Sequence, residues 1–331
     1  MEPDTGHPPA SGPRAPGGVL VLGGSGFVGR HVCAAFAARG HRVLSVSRRP
    51  GPDGAVRTVA LDLSRPGGLP ELLAAERPSH VVNCVGSIWG RSDAEMSAAC
   101  LLPTERLLAA LAEAGTPRPG LVHLGSVMEY GPVPTGGTAG GTARPTTAYG
   151  RAKLAATEAV LRADPEAVVL RVANVSGPGT PPVSLLGRVA AQLAGHLGGG
   201  PGAPPRRRPA RVTLTPLAAH RDYVDARDVA DAVVAAAVAE PGAVAGRVLD
   251  LGRGVAVPVR ELVELLIEVS GVPAELVETA PPPAGGAPGP ALDWLRVDPR
   301  PARDALGWHP RRSLKESLVD FWAEHRAHAA R

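Results

Sequence analysis

From Gly18 onward, short apolar runs alternate with stretches in which apolar residues recur every three to four positions. Runs of four to six Val and Leu residues suit strands buried on both faces, and the longer 3.6-residue periods suit amphipathic helices. The pattern predicts strands at 19–22, 43–46, 56–61, 81–85, 121–125 and 168–172. A helix follows the first strand to about residue 38 and stops at Gly40, and a long helix covers roughly residues 94–114 before Gly115 and Pro117. Pro145, Thr146 and Thr147 open another helix that runs to about Arg162. After Gly177-Pro-Gly the regularity breaks, and residues 177–215 hold one helix near 185–197 and a loop rich in Gly, Pro and Arg. Alternation returns at 226–238 and 247–251, and the last part of the chain mixes helices with a Pro/Gly-rich loop at 281–290. No internal repeat is visible. The expected fold class is α/β, a doubly wound parallel sheet with a smaller mixed lobe. Residues 18–176, rejoined by 216–253, are expected to form the sheet domain, and 177–215 with 254–331 the lobe. Residues 1–17 lack an apolar core, so they read as a disordered tail and not as a signal peptide.

Composition narrows the function classes. The chain has 331 residues, a net charge of +4 and 35 Lys and Arg, of which only Lys153 and Lys315 are lysine. Basic residues are spread along the chain, apart from Arg206, Arg207 and Arg208 in a Pro-rich stretch, which argues against nucleic acid as a partner. No apolar stretch approaches the ~18 residues of a membrane span. Cys33, Cys84 and Cys100 are too widely spaced for a disulfide framework or a zinc pattern. Reduced thiols in a cytoplasmic protein without a metal are the expectation.

The first strand leads directly into Gly23-Gly24-Ser25-Gly26-Phe27-Val28-Gly29 and a helix. A dinucleotide pyrophosphate needs a tight turn, a backbone without Cβ and a helix N-terminus offering N–H groups. Gly23, Gly26 and Gly29 supply the first two, and the backbone of Phe27 and Val28 lies at the third. Where an NAD site carries an acid after strand two, this chain has Ser47-Arg48-Arg49. A missing acid with two guanidiniums in its place favours NADP(H), through Ser47 and Arg48, with NAD(H) still possible. The plain alternative is that Arg48 and Arg49 are surface residues of an arginine-rich chain. Asp62 and Leu63, after strand three, are placed to line the adenine, and Val85-Gly86, after strand four, to admit the nicotinamide side.

Tyr149 and Lys153 stand four residues apart, on one helical face. A neighbouring ammonium would lower the pKa of the phenol and fit it for proton transfer. Chance pairing is a weak alternative, because the chain has three tyrosines and two lysines. Ser126 follows strand five, at the carboxyl end where ligands of such sheets bind; an ordinary turn serine is the plain alternative.

Together, Gly23–Gly29, Asp62, Ser126, Tyr149/Lys153 and Asn174 in Leu170-Arg-Val-Ala-Asn-Val-Ser-Gly-Pro resemble the extended short-chain dehydrogenase/reductase family, of the NAD-dependent epimerase/dehydratase type. The likeness runs from Gly18 to Leu318 and includes Arg221-Asp-Tyr-Val-Asp and Leu306-Gly-Trp-His-Pro. It implies a Rossmann sheet, Tyr149 as acid/base, Lys153 as its tuner and ribose ligand, and Ser126 as donor to the substrate oxygen. It also implies Asn174 and Arg221 as contacts to a nucleotide-sugar, and a homodimer through the long helix and the Tyr149 helix. Departures point to a reaction. Val127-Met128 stand where dehydratases carry an acidic pair, Glu129 falls one position late, and Cys100 replaces the usual Asn of the long helix. Val82-Asn-Cys-Val-Gly86 and the segment 214–229 are similar to deoxysugar 4-ketoreductases. The expected activity is NADPH-dependent reduction of a nucleotide-linked, dTDP-type 4-keto-6-deoxysugar. A 4-epimerase retaining NAD, a reductase of non-sugar ketones and a non-catalytic cofactor binder are the alternatives.

Overall fold

A computed structural model describes residues 18–49, 56–88, 92–115, 117–197, 208–279 and 293–329. The expected tail at 1–17, Arg206, Arg207 and the loop at 281–290 lie outside them. In chain order the strands are β1 (Val19–Leu22), β2 (Val43–Ser47), β3 (Arg57–Ala60), β4 (His80–Asn83), β5 (Gly120–Ser126), β6 (Val168–Val172), β7 (Asn174–Ser176), β8 (Ala210–Leu214), β9 (His220–Asp225), β10 (Val248–Leu251), β11 (Ala256–Pro258), β12 (Ala274–Glu278) and β13 (Trp294–Leu295). The helices are α1 (Phe27–Ala37), α2 (Leu69–Glu76), α3 (Asp93–Cys100), α4 (Leu102–Glu113), α5 (Ala148–Ala163), α6 (Leu185–Leu197), α7 (Ala226–Val238), α8 (Pro241–Val244), α9 (Val259–Ser270), α10 (Arg300–Leu306) and α11 (Leu314–Ala329).

Seven strands form one sheet in the order β3-β2-β1-β4-β5-β6-β10, and every pairing in it is parallel. The inner strands β1, β2 and β6 are buried at every position, which is why they read as unbroken apolar runs. The order reverses between β1 and β4, which opens a crevice at their carboxyl ends. Helices cover both faces: Phe36 of α1 and Val229 and Val233 of α7 pack in one core, and Leu107 and Leu111 of α4 with Val160 of α5 in the other.

A separate core gathers α6, β8, α9 and α11 through Leu193, Val212, Leu262 and Phe321. Strands β7, β11 and β13 all pair with β9, so one strand ties the late segments together. Leu295, Val297, Ala302 and Trp308 pack instead with the core that holds α1 and α7.

The long helix expected at 94–114 is two helices. Ser92 caps α3 by accepting from the Glu95 amide, and the chain restarts at Leu102 with Pro103 in the first turn of α4. Proline donates no N–H, so a continuous helix would lose a hydrogen bond there. Among the described residues, no helix is long and apolar enough to cross a membrane.

Candidate active site

The glycine loop lies where the strand order reverses. Gly23 has φ +77°, and a Cβ there would stand 3.3 Å from the Cys84 carbonyl carbon, so the loop lies directly against the end of β4. A Cβ on Gly24 would fall 2.5 Å from Ser45 Oγ. One on Gly29 would come 2.9 Å from both the Gly23 carbonyl carbon and Gly24 Cα, and nearer still to Gly23 O. Gly26 caps α1 without a side chain, no acid occupies the first turn, and Gly26 N donates to Gly23 O (2.9 Å). The result is a Cβ-free cradle in front of an uncapped helix N-terminus, including the amides of Phe27, Val28 and Gly29. This cradle suits a dinucleotide pyrophosphate.

Ser47 is buried, and its Oγ accepts from Ser25 N (2.9 Å), tying the end of β2 to the loop. Arg48 is exposed just beyond it. Asp62 follows β3; its Oδ1 accepts from Ser64 N (2.9 Å) and Ser64 Oγ (2.7 Å). Those bonds, with Arg65 and Arg48 nearby, hold the Asp62 carboxyl below its ordinary range. Leu63 is buried, and its carbonyl accepts from Arg106 (3.2 Å). Val85 N donates to Asn83 Oδ1 (3.1 Å), and the Asn83 amide nitrogen lies 3.1 Å from both Thr104 Oγ1 and His123 Nδ1. Asn83 thereby clamps the Val85-Gly86 turn. A Cβ on Gly86 would sit 3.7 Å from Cys100 Sγ and 3.8 Å from Lys153 Nζ.

Ser126 and the Tyr149 helix meet across a short turn, Val127–Glu129. Ser126 N donates to Glu129 Oε1 (2.8 Å), and Ser126 Oγ accepts from Met128 N (3.2 Å). Thr147 caps α5 by accepting from Gly150 N (3.0 Å). A Cβ on Gly150 would collide with Met128 O, so glycine lets the start of α5 lie against the Ser126 turn. Tyr149 is half-buried, with the Ser126 hydroxyl beside its phenol. Lys153 is buried and donates to the Leu124 carbonyl.

The electrostatics differ from the expectation. Burial pushes the Tyr149 phenol above its usual value, with Cys100 and Glu129 adding to the rise and Ser126 opposing it. Burial also lowers the Lys153 ammonium, while Cys100, Glu129 and Cys84 hold it up. The phenol's downward pull therefore comes from Ser126, and the ammonium is turned to a main-chain oxygen.

Glu129 does not face the reacting groups. It is fully buried and paired with Arg171 Nε of β6 (2.7 Å), and it accepts from Thr157 Oγ1 (3.1 Å). Arg171 also stacks over the Tyr130 ring at 4.5 Å, and Tyr130 donates to Asp250 (3.0 Å). Asn174, on β7, pairs with Tyr223 of β9, and Arg221 lies two residues before Tyr223 on that strand. Burial lowers the Arg221 guanidinium, with Tyr223 and Asp293 nearby. Gly150, Asn83, Thr157 and Arg171 are the contributors that sequence reasoning missed, since each acts through a partner distant in the chain. Lys315 pairs with Glu268 (2.8 Å) on the surface. Among the described residues, no group of three or more His, Cys, Asp or Glu could hold a metal ion.

A family model described as the NAD dependent epimerase/dehydratase family matches residues 19–252. The dTDP-6-deoxy-L-talose 4-dehydrogenase (NAD(P)(+)) of Kitasatospora kifunensis is 45% identical over 317 residues, covering 93% of this chain and 95% of the relative. MoeE5, solved in complex with UDP-glucuronic acid and NAD, matches with a TM-score of 0.75 at 28% identity, over 94% of this chain and 100% of its own. RMD from Pseudomonas aeruginosa, complexed with NADPH, matches with a TM-score of 0.73 at 25% identity, over 93% and 99%.

Proposed function

The chain belongs to the NAD-dependent epimerase/dehydratase family, and from that premise we propose that it is an NADPH-dependent ketoreductase acting on a dTDP-linked 4-keto-6-deoxysugar. The observation that carries this reading is 45% identity, across 93% of the chain, to an enzyme named for oxidising position 4 of a dTDP-6-deoxysugar. Reduction of the 4-ketone is that same step in reverse. The residues above fit such chemistry.

A bound nicotinamide dinucleotide supplies the hydride. Gly23, Gly26 and Gly29, with the amides of Phe27 and Val28, would hold its pyrophosphate. Exposed Arg48 would meet a ribose phosphate, while Asp62, Leu63, Val85 and Gly86 would line the rest of the cofactor. Tyr149 holds the proton that the new alkoxide takes up. Ser126 Oγ already accepts from Met128 N, so its own hydrogen can donate to the ketone oxygen. Lys153, near Gly86, would hold a ribose hydroxyl. Asn174 and Arg221 bind the nucleotide diphosphate of the substrate. The enzyme works in the cytoplasm as a homodimer through the α3–α4 pair and α5.

Replacing Tyr149 by Phe tests the proton donor. NADPH oxidation with a dTDP-4-keto-6-deoxyhexose should fall by at least about a hundredfold, while NADPH affinity stays within a few-fold. Near-normal turnover of Tyr149→Phe would overturn the mechanism.

A further inference from the structure

Ser126 and the Tyr149 helix come from different segments of the chain, and their relative placement must be fixed for both hydroxyls to meet one substrate oxygen. Glu129 connects the two. Its Oε1 accepts both Ser126 N, at 2.8 Å, and Thr157 Oγ1 of α5, at 3.1 Å. Its Oε2 is held by Arg171 Nε at 2.7 Å, and the side-chain exposures of the pair are 0% and 9%. Thr157 stands four residues beyond Lys153 on the same helix, which puts it on the same face.

We propose that Glu129, locked by Arg171, is a positioning residue that sets the distance between Ser126 and the Tyr149/Lys153 helix by holding Thr157. This rests on the reading that Tyr149 gives up the proton and Ser126 donates to the same ketone oxygen. The geometry favours positioning over a direct role, because both carboxylate oxygens are occupied by protein donors and the group is fully buried. The neighbours are also arranged for rigidity. Gly125 leaves room for the carboxylate, since a Cβ there would lie 2.8 Å from Glu129 Oε1. Arg171 is sandwiched between Glu129 and the Tyr130 ring, and Tyr130 is held by Asp250 of β10.

Thr157→Val removes the tether while keeping the shape and the ion pair; Thr157→Ser keeps the hydroxyl and loses a methyl group. With the whole enzyme, Thr157→Val should lower kcat roughly ten- to hundredfold at little cost in KM, and Thr157→Ser should stay near wild type. A purely structural role reverses that order, because serine leaves a cavity and valine does not. Labelling the three tyrosines at the ζ carbon gives a readout that needs no substrate. The Tyr149 resonance should move or split in Thr157→Val and hold in Thr157→Ser, with Tyr223 unmoved in both. A Tyr149 signal unchanged in Thr157→Val overturns the proposal. Wild-type enzyme inert toward the nucleotide 4-ketosugar would instead count against the substrate reading, and the tyrosine spectra would still decide the positioning.

Discussion

Gly29→Ala perturbs the cradle at its narrowest point. The new Cβ would stand 2.9 Å from the Gly23 carbonyl carbon and from Gly24 Cα, where ordinary contact begins at 3.4 Å. All of these neighbours are backbone, so no side chain can swing away; clearing the two carbons takes about half an ångström, and clearing Gly23 O, nearer still, takes more. Overpacking of this kind costs about 1–3 kcal/mol. Opening the loop also strains the bond from Gly26 N to Gly23 O (2.9 Å), worth about 1 kcal/mol. The combined cost of about 2–4 kcal/mol falls on cofactor binding if the loop yields, since every 1.4 kcal/mol is about tenfold in affinity. NADPH titration by fluorescence should show Kd rising by about 30-fold or more. Gly40→Ala is the control: its φ is +80° but nothing lies within 4 Å of the added Cβ. It should lose about 1 kcal/mol of stability and keep wild-type affinity. Gly29→Ala with wild-type affinity and melting temperature would refute the cradle.

Three further outcomes follow from other parts of the molecule. Arg48→Glu should weaken NADPH binding about tenfold or more while leaving NADH within a few-fold, which paired titrations would measure; equal losses for both would remove Arg48 from the cofactor site. Gly195→Ala, exposed on α6 with nothing within 4 Å of its Cβ, should stabilise the protein by about 0.5–1 kcal/mol in urea melts. Burial raises the Asp250 carboxyl from 3.8 to about 7. The folded state therefore holds that proton more tightly than the unfolded chain, and stability falls as pH rises between those values. Asp250→Asn should lose less stability than wild type between pH 5 and pH 8, and an equal loss in both would show that Asp250 does not titrate there.

What the chain disclosed by itself depended on how local each feature is. The parallel sheet was legible because β1, β2, β5 and β6 are buried on nearly every position and read as apolar runs. The glycine cradle and the Tyr149–Lys153 spacing were legible because each is contained in a few consecutive residues. The expectation of one helix at 94–114 gave no weight to Pro103, and the structure breaks the helix there. The environment of Glu129 was not legible: its partners Thr157 and Arg171 lie 28 and 42 residues away. The parallel register of β5 and β6 sets Gly125 beside Arg171, and α5 brings Thr157 to the same carboxylate. The same holds for Tyr149, whose raised pKa comes from burial that no spacing reveals.

The central claim is hydride transfer to carbon 4 of a dTDP-linked sugar, and tracing that hydride tests it most directly. Wild-type enzyme incubated with NADPH deuterated at the transferable position and a dTDP-4-keto-6-deoxyhexose should place deuterium on carbon 4, with one NADP produced per alcohol. Unchanged ketone would contradict the account. So would inversion at carbon 4 of a dTDP-6-deoxyhexose by the enzyme with its own retained NAD and no NADPH consumed.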